Sequence, residues 1–116
     1  MKIFSIFFIL LTLIVSQPLF AHSEHGHGPI SESTALTLAL DVANYLSSQD
    51  AGLGFGQLPK TWASIPVKNI SISKKGKGYY IVSVNNEKEN NTLHILMSDG
   101  GDVYDANFTG EFEGIN

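Results

Sequence analysis

Two periods of hydrophobic spacing divide the chain. Between Glu32 and Ser48 the apolar residues Ala35, Leu36, Ala39, Leu40, Val42, Ala43 and Leu46 recur every three or four positions. That interval keeps one face of an α-helix apolar, so the spacing predicts an amphipathic helix over this stretch. Ser31 stands just ahead as an N-cap, and Glu32 places an acid in the first turn, near the positive end of the helix. Asp50-Ala51-Gly52 ends the pattern, and Gly54 and Gly56 continue a glycine-rich connector. Leu53, Phe55 and Leu58 on the connector are expected to tuck against the helix. Trp62, after the Pro59-Lys60-Thr61 turn, is the largest apolar side chain available to seal one end of the core.

Beyond the tryptophan the period shortens to two. Lys68 to Ser73 alternates with Ile70 and Ile72 on one face, and Lys74 to Gly78 reads as a turn. Tyr79 to Asn85 aligns Tyr80, Val82 and Val84, and Asn86 to Asn91 is a polar loop. Thr92 to Ser98 aligns Leu93, Ile95 and Met97. Asp99-Gly100-Gly101-Asp102 is a tight-turn signal, after which Val103 to Thr109 aligns Tyr104, Ala106 and Phe108. Each strand offers one apolar face and a single helix is present to cover it. The fold class that follows is α+β: one amphipathic helix packed on a four-stranded antiparallel meander sheet. The same alternation sends Tyr79, Ile81, Leu96 and Val103 to the other sheet face. Clustered there, they would form a surface for a protein partner or a homodimer; scattered, they are ordinary surface apolars. Gly110 to Asn116 reads as a frayed acidic tail.

The N-terminus follows neither period. Lys2 precedes a 13-residue apolar run, Ile3 to Val15, then Ser16-Gln17-Pro18 and Leu19-Phe20-Ala21, which ends on a small residue. These are the three regions of a cleavable secretory signal in order. The run is shorter than the roughly 20 residues that cross a bilayer, and no second one follows. Export with no membrane span after cleavage is therefore expected. Residues 1–21 are then a signal peptide, 22–30 a flexible His-rich tail, 31–110 one α+β domain and 111–116 an acidic tail.

Charge and cysteine content narrow the function classes. Removing residues 1–21 takes out Lys2 alone among the charged groups, leaving six Lys, no Arg, eleven acids and a net charge of −5. Nucleic acid is a poor partner for such a chain, because phosphate binding needs clustered cations. With no cysteine in the sequence, disulfides and a cysteine nucleophile are both excluded. Neither Gly-x-Ser-x-Gly nor His-Glu-x-x-His occurs, so an enzyme is not expected.

The candidate chemistry sits in the tail. His22, His25 and His27 lie within six residues, and neutral imidazole is a common ligand for Cu, Ni and Zn. Cleavage after Ala21 would also give His22 a free α-amine. Amine and ring nitrogen together can chelate Cu(II), with His25 or His27 completing a tetragonal set and Glu24 offering an oxygen. Ni(II) and Zn(II) are the alternative metals. The opposing reading is a solvated His-rich tract that binds metal only incidentally. Asp99, Asp102 and Asp105 lack the ligand spacing of a calcium loop and are explained more simply by a hairpin turn. His94, alone on a strand, reads as a surface residue.

Several segments together resemble a known family. They are His25-Gly26-His27-Gly28-Pro29-Ile30-Ser31-Glu32, the Leu58-Pro59-x-x-Trp62 turn, the Tyr79-Tyr80-Ile81-Val82 and Leu93-to-Met97 strands, and the terminal Ala106-Asn107-Phe108-Thr109-Gly110. Over nearly the whole mature chain this resembles DUF6488, a family of small bacterial periplasmic proteins of unknown function with a PepSY-like layout. The glycine-rich connector, Ala51 to Gln57, is longer than that pattern. The resemblance implies a periplasmic location and a helix-then-strands fold, and brings no activity with it. From the residues, the expected function is a metal-binding accessory protein; the alternative is an interaction module using a sheet face or edge strand.

Overall fold

A computed structural model describes residues 28–115. Its helix, α1 (Glu32–Ser48), has the bounds that the apolar spacing predicts. Ser31 is extended at φ −72°, ψ 161°, and its Oγ accepts the Thr34 N–H at 3.1 Å, satisfying one of the first-turn donors that no helical carbonyl reaches. Ala35, Ala39, Val42, Ala43 and Leu46 are the buried apolar stripe. Three alanines in that stripe let the helix backbone approach the sheet closely. The far end has no glycine cap: Gln49 turns extended, and the connector satisfies carbonyls of the last turn instead. Leu58 N–H donates to Leu46 O at 2.9 Å and Gln57 Nε2 to Ser47 O at 2.9 Å.

Those two bonds bring Leu58 into the core, with Leu53 and Phe55 packed against it as expected. A 3-10 turn, Lys60–Ala63, follows and inserts Trp62, which is almost wholly buried. Phe108 stands edge-on to both Trp62 (5.7 Å between centroids) and Phe55 (5.1 Å), closing that end of the core with three rings.

The sheet is an antiparallel meander in the order β1-β2-β3-β4. Its strands are β1 (Ile70–Gly76), β2 (Tyr79–Asn86), β3 (Asn91–Ser98) and β4 (Val103–Asn107). Val82, Val84, Leu93, Ile95 and Met97 point at the helix and have no exposed surface. The α+β layout, one helix on a four-stranded antiparallel sheet, is therefore the fold.

Three local departures matter. First, β1 starts later and runs further than Lys68 to Ser73. A 3-10 turn, Val67–Asn69, occupies the start, and Lys74, Lys75 and Gly76 pair with Ile81, Tyr80 and Tyr79 rather than forming a turn. A Cβ at Gly76 would overlap the Tyr79 ring and have to displace it. Second, β1 bulges between Ile72 and Lys74. Third, β4 bulges as well: Leu96 pairs with Asp105 while Met97 pairs with Val103, so Tyr104 is the unpaired extra residue. One extra residue inverts the alternation before it. Val103 consequently lies in the core at 1% exposed, and Tyr104 is turned out at 48%. The expectation that Val103 faces outward and Tyr104 inward is corrected on this ground.

Candidate functional site

The point at which the N-terminal tail joins the domain is held by four backbone and side-chain contacts. Ile30 N–H donates to Asp99 O at 2.7 Å, and Tyr80 Oη donates to Ile30 O at 3.0 Å. Asp99 N–H in turn donates to Gly78 O at 2.9 Å, tying the β1–β2 and β3–β4 turns together beneath Ile30. The Ile30 side chain packs against the core. Beside this anchor, Lys75 Nζ meets Glu32 Oε2 at 2.6 Å. The Glu32 carboxylate, by hydrogen bond and by charge, raises the Lys75 ammonium above its usual value. Both side chains are more than half exposed, so the pair marks a position rather than a source of stability.

His22, His25 and His27 lie outside the described residues. Among the described residues no group of three or more His, Cys, Asp or Glu is arranged to hold a metal ion. The three aspartates near β4 have other duties. Ser98 Oγ accepts the Gly100 and Asp102 N–H groups at 3.2 and 3.1 Å, and Ser98 N–H donates to Asp102 O at 2.8 Å, which makes 98–102 a self-contained turn. Asp105 Oδ1 accepts the Ala106 N–H at 2.8 Å.

The outer sheet face differs from expectation in a second way. Of Tyr79, Ile81, Leu96 and Val103, the last is in the core, and Ile81 is buried at 5% although it points outward. The cover over this face comes from the chain after β4. Gly110 adopts φ +79° and rests on the His94 imidazole, so close that a Cβ would meet ring atoms at 3.2 Å. Asn107, the cross-strand neighbour of His94, accepts the Gly110 N–H and donates to Glu111 O, both at 2.8 Å. Phe112 is 6% exposed. Residues 110–115 are thus folded back and fastened, not frayed. His94 is only partly exposed; its Nδ1 lies 3.2 Å from Ser83 Oγ, and burial lowers its pKa below the usual 6.5. A partner surface built on all four apolar residues does not exist in this arrangement.

A cavity of about 170 Å3 opens at the opposite end of the sheet, bordered by Thr61, Ile65, Pro66, Asn69 and Asn86. Asn86, read from sequence as a loop residue, is 2% exposed and organises this end. Its Oδ1 accepts the Lys88 and Glu89 N–H groups at 3.1 and 3.3 Å, and its Nδ2 donates to Thr61 Oγ1 at 3.1 Å. Thr61 Oγ1 donates onward to Glu89 Oε2 at 2.9 Å. Among the described residues no buried side-chain polar atom lacks a partner. These groups lash the 61–69 segment to the β2–β3 turn, and none is left aimed into the cavity. A polar residue just past an alternating strand and ahead of a Glu-Lys-Glu-Asn turn was the available signal.

The profile of a family described as "Family of unknown function (DUF6488)" matches residues 1–111. The chain belongs to the DUF6488 family. Its match spans the N-terminal apolar run, the histidine tail, the helix, all four strands and the glycine on His94. No curated protein and no solved structure matches the chain, so the PepSY-like layout rests on resemblance alone. Among the described residues no helix is long and apolar enough to cross a membrane.

Proposed function

We propose that this DUF6488 protein is exported to the periplasm, loses residues 1–21, and binds Cu(II) through His22, His25 and His27 as a metal-handling accessory protein. Ni(II) and Zn(II) are the alternative ions. The observation that carries the reading is three histidines in six residues directly ahead of a fastened Ile30. Because Ile30 is fixed, the three-residue tether from His27 reaches at most about 11 Å from it. Ordering a tail costs roughly 1–2 kcal/mol per residue fixed, so an anchor two residues after Gly28 shortens what the metal must order. The alternative, an interaction module using a sheet face or edge strand, loses one of its four apolar residues, because Val103 lies in the core.

Mass spectrometry of the exported product fixes the terminal residue, and Cu(II) titration of that product against a chain lacking residues 22–28 tests the reading. Tighter binding by the intact chain is expected. Equal affinity in the two would end the proposal.

A further inference from the structure

Ile81 and Phe112 are, among the described residues, the two buried apolar side chains outside the helix-side core. His94 shares the outer face with Ile81: Leu96 pairs with Ile81 across β2–β3, His94 is two residues from Leu96, and Gly110, two residues before Phe112, lies on its ring. We propose that residues 110–115 form a strap latched by neutral His94, which lifts from the outer sheet face when that imidazole takes up a proton.

The groups around the ring favour the neutral form. From β2, Ser83 Oγ engages Nδ1. From β4, Asn107 faces it but spends its side chain on the strap, at Gly110 N–H and Glu111 O. From the strap comes the Gly110 backbone, so near that a Cβ there would stand 3.2–3.3 Å from ring atoms Cε1, Nδ1 and Cδ2. The nearby charges do not compensate. Asp105 is bonded to the Ala106 N–H, Glu111 and Glu113 are exposed, and β1 contributes a cation, Lys74, which sits 6.0 Å over the Tyr79 ring on the same face. Burial is what displaces the His94 titration, and it does so downward.

The sign follows from linkage. Above the ordinary imidazole value of 6.5 the ring is neutral whether the strap is down or lifted, and the latch is intact. As the pH falls from there through the lowered value of the closed state, the lifted state binds the proton more readily and gains population. Lifting exposes Phe112 and Ile81 without opening the helix-side core, so it separates from global unfolding.

Amide hydrogen exchange on the mature chain, from about pH 8 to about pH 5 and corrected for intrinsic rates, tests this. Gly110, Glu111 and Ile115 report the strap, and Val82 and Ile95 report the sheet. Strap protection is expected to fall with pH while sheet protection holds, and His94→Gln should remove the pH dependence. The same dependence in His94→Gln, or parallel loss in both sets, overturns the proposal. Should His94→Gln fail to fold, the His94 ring titration by NMR in Phe112→Ala decides. With the strap lifted it moves up towards free imidazole; an unmoved titration overturns the latch.

Discussion

The inversion at the β4 bulge makes a prediction opposite to the one simple alternation gives. Val103 is 1% exposed and in the core cluster, whereas Tyr104 is 48% exposed. Val103→Ala removes two buried carbons. At roughly 0.8 kcal/mol for each, plus the cavity left between Met97 and its neighbours, the loss is about 2 kcal/mol. Tyr104→Ala removes far more atoms but mostly from water, so its cost stays within about 0.5–1 kcal/mol. Urea unfolding of a chain spanning residues 22–116, followed by fluorescence of its single tryptophan, Trp62, reads both. With a slope of about 1–2 kcal/mol per molar for so small a domain, Val103→Ala should lower the midpoint by roughly 1–2 M. Tyr104→Ala should barely move it. A larger drop for Tyr104→Ala than for Val103→Ala would place the bulge elsewhere and return Val103 to the surface.

Further substitutions test other contacts. Ser31→Ala removes the acceptor for the Thr34 N–H and should cost about 1 kcal/mol in thermal unfolding followed by far-UV circular dichroism; an unchanged melt would mean the cap is idle. Asn86→Ala removes the acceptor of the Lys88 and Glu89 N–H groups and empties a buried side-chain site at the root of an exposed turn, for about 1–2 kcal/mol. Thr61→Val keeps that acceptor and removes the bonds of Thr61 Oγ1 to Asn86 and Glu89, so its urea midpoint should lie between wild type and Asn86→Ala. Gly76→Ala should destabilise the domain and do so much less in a Tyr79→Ala background, because the obstruction is the Tyr79 ring. Equal costs in the two backgrounds would refute that contact.

Periodicity located the helix to the residue and all four strands to within a few, because each buries one continuous face and burial imposes the period. What it misplaced were features with no period. Lys74 and Lys75 looked like turn residues by charge, yet an edge strand tolerates lysine because its outer side is open to water. Tyr104 looked inward because it is aromatic and one step out of phase with Val103. A bulge is a one-residue backbone event with no obligatory side chain, so nothing in the Val103-Tyr104-Asp105 triplet announces it.

The same distinction divides the two sites. The histidine tail is compositional and therefore visible in the sequence, but its anchor is not: Ile30 meets Asp99 and Tyr80 from sequence distances of 69 and 50 residues. His94 shows the converse. Alone on a strand it carries no motif, and its environment is created by Gly110, a residue that sequence reasoning had assigned to a loose end. Glycine is favoured there because φ +79° strains any residue with a Cβ, and that Cβ would press on the ring. A strap that binds by backbone contact leaves only a glycine and one later apolar residue, Phe112, as its trace. The tail histidines and His94 are thereby separable: deleting residues 22–28 should leave the pH dependence of the strap intact, and His94→Gln should leave Cu(II) affinity unchanged. Loss of both behaviours in either variant would show that one imidazole set serves a single site, contrary to the placement of Ile30 at one end of the sheet and Gly110 on its outer face.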